Sequence, residues 1–81
     1  MKAVYCLVGY DKQSERVVFK YQIPPESEHA AKEAAGVYGA DVSAIGDIPL
    51  DDAQTRKIAD LLRLPVSTDR YDCFLEPYVF A

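Results

Sequence analysis

The chain has 81 residues, nine of them basic and thirteen acidic, for a formal net charge of −4. That length sets one small domain over residues 1–81, with a thin stability margin because so short a chain buries only roughly 60% of its unfolded surface. A content of 49% hydrophobic and 11% aromatic residues excludes a disordered chain, and the acid surplus argues against a nucleic-acid partner, which needs an excess of Lys and Arg.

Residues Ala3 to Tyr10 are apolar on both alternating faces. Ala3, Tyr5 and Leu7 point one way and Val4, Cys6 and Val8 the other, the pattern of a central strand covered on both sides. The polar turn Asp11-Lys12-Gln13-Ser14 follows. From Arg16 to Ile23 the chain alternates, with Val17, Phe19, Tyr21 and Ile23 on one face and Arg16, Val18, Lys20 and Gln22 on a wet face. The two runs predict an antiparallel hairpin.

Pro24-Pro25 ends the second strand and suits a helix start, where a missing N–H costs nothing. Glu26 and Glu28 favour the positive end of that helix. Ala30, Ala34 and Tyr38 recur at helical spacing with Ala31 and Ala35 beside them, predicting a helix from about Glu26 to Val37, closed by Gly36 and Gly39. Val42, Ala44 and Ile45 predict a short strand, Gly46-Asp47 a turn, and Pro49 bars a long strand there. Asp51 as N-cap and Gln54 three residues on have capping-box spacing. Ile58, Leu61 and Leu62 are the expected buried stripe of a second helix, which Pro65 stops near Leu64. Arg70 to Glu76 reads as a last strand, with Tyr71, Cys73 and Leu75 on one face and Asp72, Phe74 and Glu76 on the other. Pro77 bends it or marks an edge. The order β-β-α-β-α-β predicts an α+β fold: a small, mainly antiparallel sheet with two helices packed on one face.

The apolar run after Lys2 is too short for a signal peptide and lacks a cleavage site. No stretch approaches the roughly 20 apolar residues of a membrane helix. A cytoplasmic protein is therefore expected, with Cys6 and Cys73 as reduced, buried thiols. Were the first and last strands neighbours and the two cysteines facing, a disulfide would be open to them.

Chemistry is sparse. His29, the single histidine, stands among Glu26, Glu28 and Glu33, a pattern typical of a solvated helix face. There is no Cys-x-x-Cys for zinc, and Gly36-Val37-Tyr38-Gly39 lacks the Lys and Ser/Thr of a phosphate loop. Asp51 and Asp52 are adjacent and so do not face each other on a helix. No catalytic residue, metal or cofactor is expected.

The charge is unevenly spread. From Glu33 to Thr55 there is no Lys or Arg, and Glu33, Asp41, Asp47, Asp51 and Asp52 make that window −5, leaving +1 for the remainder. With six tyrosines and no tryptophan, half-exposed phenol rings are the available interface anchors. Tyr38, Asp41, Asp47, Asp51 and Asp52 form one candidate binding patch for a basic protein, whose opposite charge would speed encounter. Asp72, Glu76 and Tyr78 form a second on the last strand.

Gly9-Tyr10-Asp11-Lys12 with Glu15, Tyr21-Gln22-Ile23-Pro24, Ile48-Pro49-Leu50 and Tyr71-Asp72-Cys73-Phe74-Leu75-Glu76 together resemble a family of small acidic bacterial proteins. Cys73 stands where that pattern has an aromatic residue. Proteins of this kind are similar to immunity proteins of interbacterial toxin systems, including contact-dependent growth inhibition. The resemblance implies a cytosolic protein that neutralises a cognate toxin domain, often a nuclease with a basic cleft. Asp11, Tyr71, Asp72 and Glu76 match that pattern in type and carry no assigned role. The alternative is an interaction module, homodimeric or otherwise, that pairs through a sheet edge without a toxin. A third reading, a small enzyme or metal binder, would centre on His29.

Overall fold

The computed structural model describes residues 2–36 and 46–80, with side chains described over 4–36 and 46–78. Four strands, β1 (Lys2–Asp11), β2 (Val17–Gln22), β3 (Ile48–Leu50) and β4 (Tyr71–Phe80), form one antiparallel sheet in the order β2-β1-β4-β3. Helices α1 (Glu28–Ala34) and α2 (Asp52–Leu62) complete an α+β fold of the predicted element order.

β1 is central and buried on both sides, as its doubly apolar pattern requires. Tyr5 and Leu7 face the helices and join Ile23, Ala31, Ala35, Ile48, Ile58, Cys73 and Leu75 in the core. Each fully buried Leu or Ile contributes roughly 1.5–3 kcal/mol. Val4, Cys6 and Val8 are buried on the opposite face, flanked across the ladder to β4 by Tyr78, Glu76 and Phe74.

Backbone parity decides which edges are open. The Ile23 N–H donates to the Tyr5 carbonyl at 2.7 Å, so odd-numbered residues of β1 turn their backbone groups to β2 and even-numbered ones to β4. Odd-numbered residues of β4 then turn outward, where Cys73 and Leu75 meet Leu50 and Ile48 of β3. Pro77, opposite Tyr5, takes the next outward position, so β4 runs through it without losing a ladder bond. Pro49 likewise points its missing N–H away from β4, which is how β3 tolerates it. The predicted strand at Val42, Ala44 and Ile45, and Gly39, lie outside the described residues.

The first helix is shorter than its sequence pattern. A single 3-10 turn, Pro25–Ser27, precedes α1, which buries Ala31, with Ala35 buried just past its end. Gly36 follows with φ +80, a left-handed conformation that only glycine adopts at no steric cost. α2 begins on the predicted capping box: the Gln54 N–H donates to Asp51 Oδ1 at 2.7 Å, and Gln54 Oε1 accepts from the Asp51 N–H at 2.9 Å. It ends in a Schellman motif, with Arg63 left-handed (φ 56) donating to Asp60 and Leu64 donating to Ala59. Its buried stripe is Thr55, Ile58 and Ala59, with Leu62 partly covered. Leu61 is exposed instead, because it lies roughly 120° round the helix from that stripe at about 3.6 residues per turn.

β2 departs further from its pattern. The pairing passes from Gly9 opposite Phe19 to Tyr10 opposite Val17, so Val18 is the extra residue of a bulge. Val17 and Val18 are both exposed, and Tyr21 is exposed on this edge strand although its position in the alternation places it in the core. Gly9 is required at the bulge: a Cβ there would run into the Phe19 ring. Cys6 and Cys73 sit on neighbouring strands but on opposite faces, Cys6 opposite Glu76 and Cys73 opposite Gly9. The intrachain disulfide is therefore ruled out by direction, and both thiols are free and buried.

Candidate functional site

The sheet face turned away from the helices carries the most distinctive chemistry. Tyr10, Val8, Cys6 and Val4 of β1 lie beside Asp72, Phe74, Glu76 and Tyr78 of β4. Glu76 is only 5% exposed, and a buried carboxylate must be hydrogen-bonded. Two phenols meet that demand. Tyr10 donates to Glu76 Oε2 and Tyr78 donates to Oε1, each at 2.6 Å. The Lys20 ammonium of β2 stands 4.3 Å from the centre of the Tyr78 ring. A polar chain thus runs across three strands, from Lys20 through Tyr78 and Glu76 to Tyr10.

These bonds tune the phenols. The Tyr10 hydroxyl is pushed up to about 12, chiefly by its hydrogen bond to Glu76 and then by burial. Tyr78 is raised by the same acceptor. Burial raises the Cys6 thiol on this face.

Next to this chain is a concavity of about 280 Å³ lined by Tyr10, Asp11, Glu15, Asp47, Asp72, Phe74 and Glu76. The Tyr10 and Phe74 rings meet edge to face, 5.4 Å between centroids. Every other lining side chain is a carboxylate. Asp11 is partly committed: its Oδ1 accepts from the backbone N–H of Gln13 at 2.8 Å and Ser14 at 3.0 Å, and those bonds, Ser14 foremost, hold its carboxyl below the usual range. Glu15 projects from the same turn with φ 59. Asp47 arrives from the loop before β3; burial, and behind it the Glu76 charge, push its carboxyl up. Such a site suits an organic cation with a flat or extended apolar stem. Aromatic faces and edges accept the stem, and carboxylates take the charge. Among the described residues no three His, Cys, Asp or Glu side chains converge to hold a metal ion.

The sequence-derived candidates separate. Asp47 joins Asp72 and Glu76 at the concavity, and Tyr78 anchors Glu76 from behind. Asp51 spends its carboxylate on the α2 cap, and Asp52 stands exposed in the first turn of that helix. Tyr38 and Asp41 lie outside the described residues. Tyr10, Asp11, Glu15 and Phe74 complete the lining without having been singled out as a patch. The alternation of β1 puts Tyr10 on the face of Cys6 and Val8, but only the register opposite Asp72 brings the acids to it. His29 is on exposed α1, its Nε2 3.1 Å from Glu33 Oε1. Among the described residues no helix is long and apolar enough to cross a membrane.

Fold and concavity define a small α+β protein whose four-stranded antiparallel sheet bears helices on one face and an acidic, aromatic-walled recess on the other. Residues 4–76 match the family model described as a domain of unknown function, DUF7683, and the chain belongs to that family. No curated protein and no solved structure matches it.

Proposed function

We propose that this chain is a binding protein of the immunity type, acting in the cytoplasm on a cognate toxin domain with a basic, nuclease-like surface. One observation carries the reading: five carboxylates and two aromatic rings line a single concavity. A Lys or Arg side chain of the partner enters it, its stem against Tyr10 and Phe74 and its charge among Asp47, Asp72 and Glu15. Glu76, already satisfied by two phenols, holds the walls in place. The remaining acids steer the encounter. Binding, not turnover, is the role: the buried carboxylate is locked by hydrogen bonds, and the histidine lies on another layer.

The test is a search beside this gene for a large secreted protein with a toxin-like C-terminal domain, followed by co-expression with that domain; an isolated gene would weaken the reading. The wild-type chain should protect the cell and co-purify with that domain. Asp47→Lys/Asp72→Lys should fold, lose protection and associate more slowly at low salt, whereas Asp60→Lys, a like charge change on α2, should not. Full protection by the folded double variant would overturn the role of the concavity. Nuclear magnetic resonance titration with acetyl-arginine methylamide gives a partner-free readout, with shifts expected at Tyr10, Phe74 and Asp47.

A further inference from the structure

A different side of the molecule combines an open strand edge with misplaced apolar surface. Among the described residues, the exposed large hydrophobic side chains are Val17 (54%), Val18 (49%), Tyr21 (40%) and Leu61 (42%). Three are on β2, and the fourth meets one of them: Tyr21 and Leu61, with Pro24, Glu26, Leu62 and Arg63, line one groove of about 340 Å³ between the end of β2 and the end of α2. A domain this small rarely leaves its few large apolar side chains on one side without a reason.

The backbone supplies that reason. By the parity fixed above, Lys20 and Gln22 turn their N–H and C=O groups away from β1, to the outer edge of the sheet. Unpaired edges of this kind are normally blocked by proline, by charge, by brevity or by a bulge. β3 is blocked by Pro49 and the free length of β4 by Pro77. β2 has no proline, its one edge lysine is folded back over Tyr78, and its bulge is confined to Val18, leaving Phe19 to Gln22 in regular register. Among the described residues β2 is therefore the one edge that can accept a strand.

We infer that β2 pairs antiparallel with β2 of a second copy of this chain, joining two sheets into one of eight strands. The occupant follows from what each molecule can offer. A second copy has the same open edge, the one edge open among the described residues, so the contact is isologous, and an isologous contact must be self-complementary. The groove meets that condition in its charges. Glu26 and Arg63 line it together, and among the described residues neither is in an ion pair. A twofold axis converts one acid and one base into two reciprocal pairs. The register is also selected. A twofold on Lys20 would set two ammonium groups opposite each other. A twofold on Tyr21 sets Lys20 opposite the second copy's Gln22, uses both outward residues twice, and brings Tyr21 against its counterpart as a close cross-strand aromatic pair. Leu61 then packs at the flank. The groove and the acidic concavity share no lining residue, so the dimer leaves the proposed partner site open.

Sedimentation equilibrium of the purified chain over the micromolar to sub-millimolar range should show a monomer–dimer equilibrium. Arg63→Glu should weaken it roughly tenfold at low salt, and Glu26→Arg/Arg63→Glu should restore it to within about threefold of wild type. Gln22→Pro removes an outward donor and no bond to β1, so it should abolish the dimer while the monomer stays folded. Tyr21→Cys tests register even where a proline variant fails to fold: mild oxidation should give a disulfide-linked dimer at this non-hydrogen-bonded pair, while Val17→Cys should not. A monomer at every concentration, or a dimer indifferent to Gln22→Pro that Tyr21→Cys fails to cross-link, would overturn the inference.

Discussion

Tyr10 and Glu76 are separated by 66 residues, yet the phenol donates to the carboxylate at 2.6 Å. With Tyr78 donating to the other oxygen at 2.6 Å, the central strand and its long neighbour share a buried charge. Such short O–H···O⁻ bonds are of the strong, charge-assisted kind. Tyr10→Phe and Tyr78→Phe should each destabilise by about 1.5–3 kcal/mol, since each leaves a buried carboxylate oxygen without its donor. Because the two donors serve one acceptor group, the double variant should depart from the sum of the singles. Urea unfolding measures both points; a loss under about 0.5 kcal/mol for either single variant contradicts the bridging role.

The same bonds make the fold sensitive to alkali. Unfolded, Tyr10 ionises near 10.0, and folded near 12. The bound proton therefore stabilises the native state fully below about pH 10, and that contribution is lost as the pH rises towards about 12. Tyr78, raised by the same acceptor, adds to the trend. Urea midpoints measured from neutral to strongly alkaline pH should fall more steeply for wild type than for Tyr10→Phe. Parallel curves would refute the linkage.

Asp47 works against the fold. Its carboxyl is raised by burial and by the Glu76 charge, so its ionised form at neutral pH costs stability that the protonated form does not. Asp47→Asn should raise the melting temperature, by an amount that solvent screening of this exposed side chain keeps small. The same change should weaken partner binding. A variant that gains stability and binds unchanged would remove Asp47 from the site.

Gly9 is held by contact with Phe19. Gly9→Ala places a methyl group in the space of the ring, and overpacking of that kind costs about 1–3 kcal/mol. Phe19→Leu in the same chain should recover part of the loss. Thermal unfolding of the single and double variants decides it; a Gly9→Ala protein as stable as wild type would show that the bulge can yield.

What was legible in the sequence was local. Asp51 and Gln54 announced a capping box, and the double alternation of Val4 to Val8 announced a central strand. Both signals are carried by residues a few positions apart, so they show in the linear sequence. Tyr21, Val17 and Leu61 were misplaced for the opposite reason. An extra residue at Val18 breaks the alternation of β2, the helices leave its edge uncovered, and the buried stripe of α2 includes Thr55 in place of Leu61. The charge window from Glu33 to Thr55 held Asp47 but missed the rest of the recess. Asp11, Glu15, Asp72 and Glu76 are balanced by bases along the chain and come together only through a ladder between residues 2–11 and 71–80. Register across such a span is set by tertiary pairing, to which a linear charge map is blind.

That ladder also governs when the recess can form. At synthesis rates of about 5–20 residues per second, β1 and β2 leave the ribosome seconds before β4 exists, so the nascent hairpin waits with the backbone groups of Cys6 and Val8 unpaired on one side. A topology so rich in distant pairings closes slowly. The recess needs Tyr10 against Phe74 and Glu76, and so it is assembled only by the last strand. An incomplete chain therefore has no recess, and any binding that depends on the recess would belong to finished molecules alone.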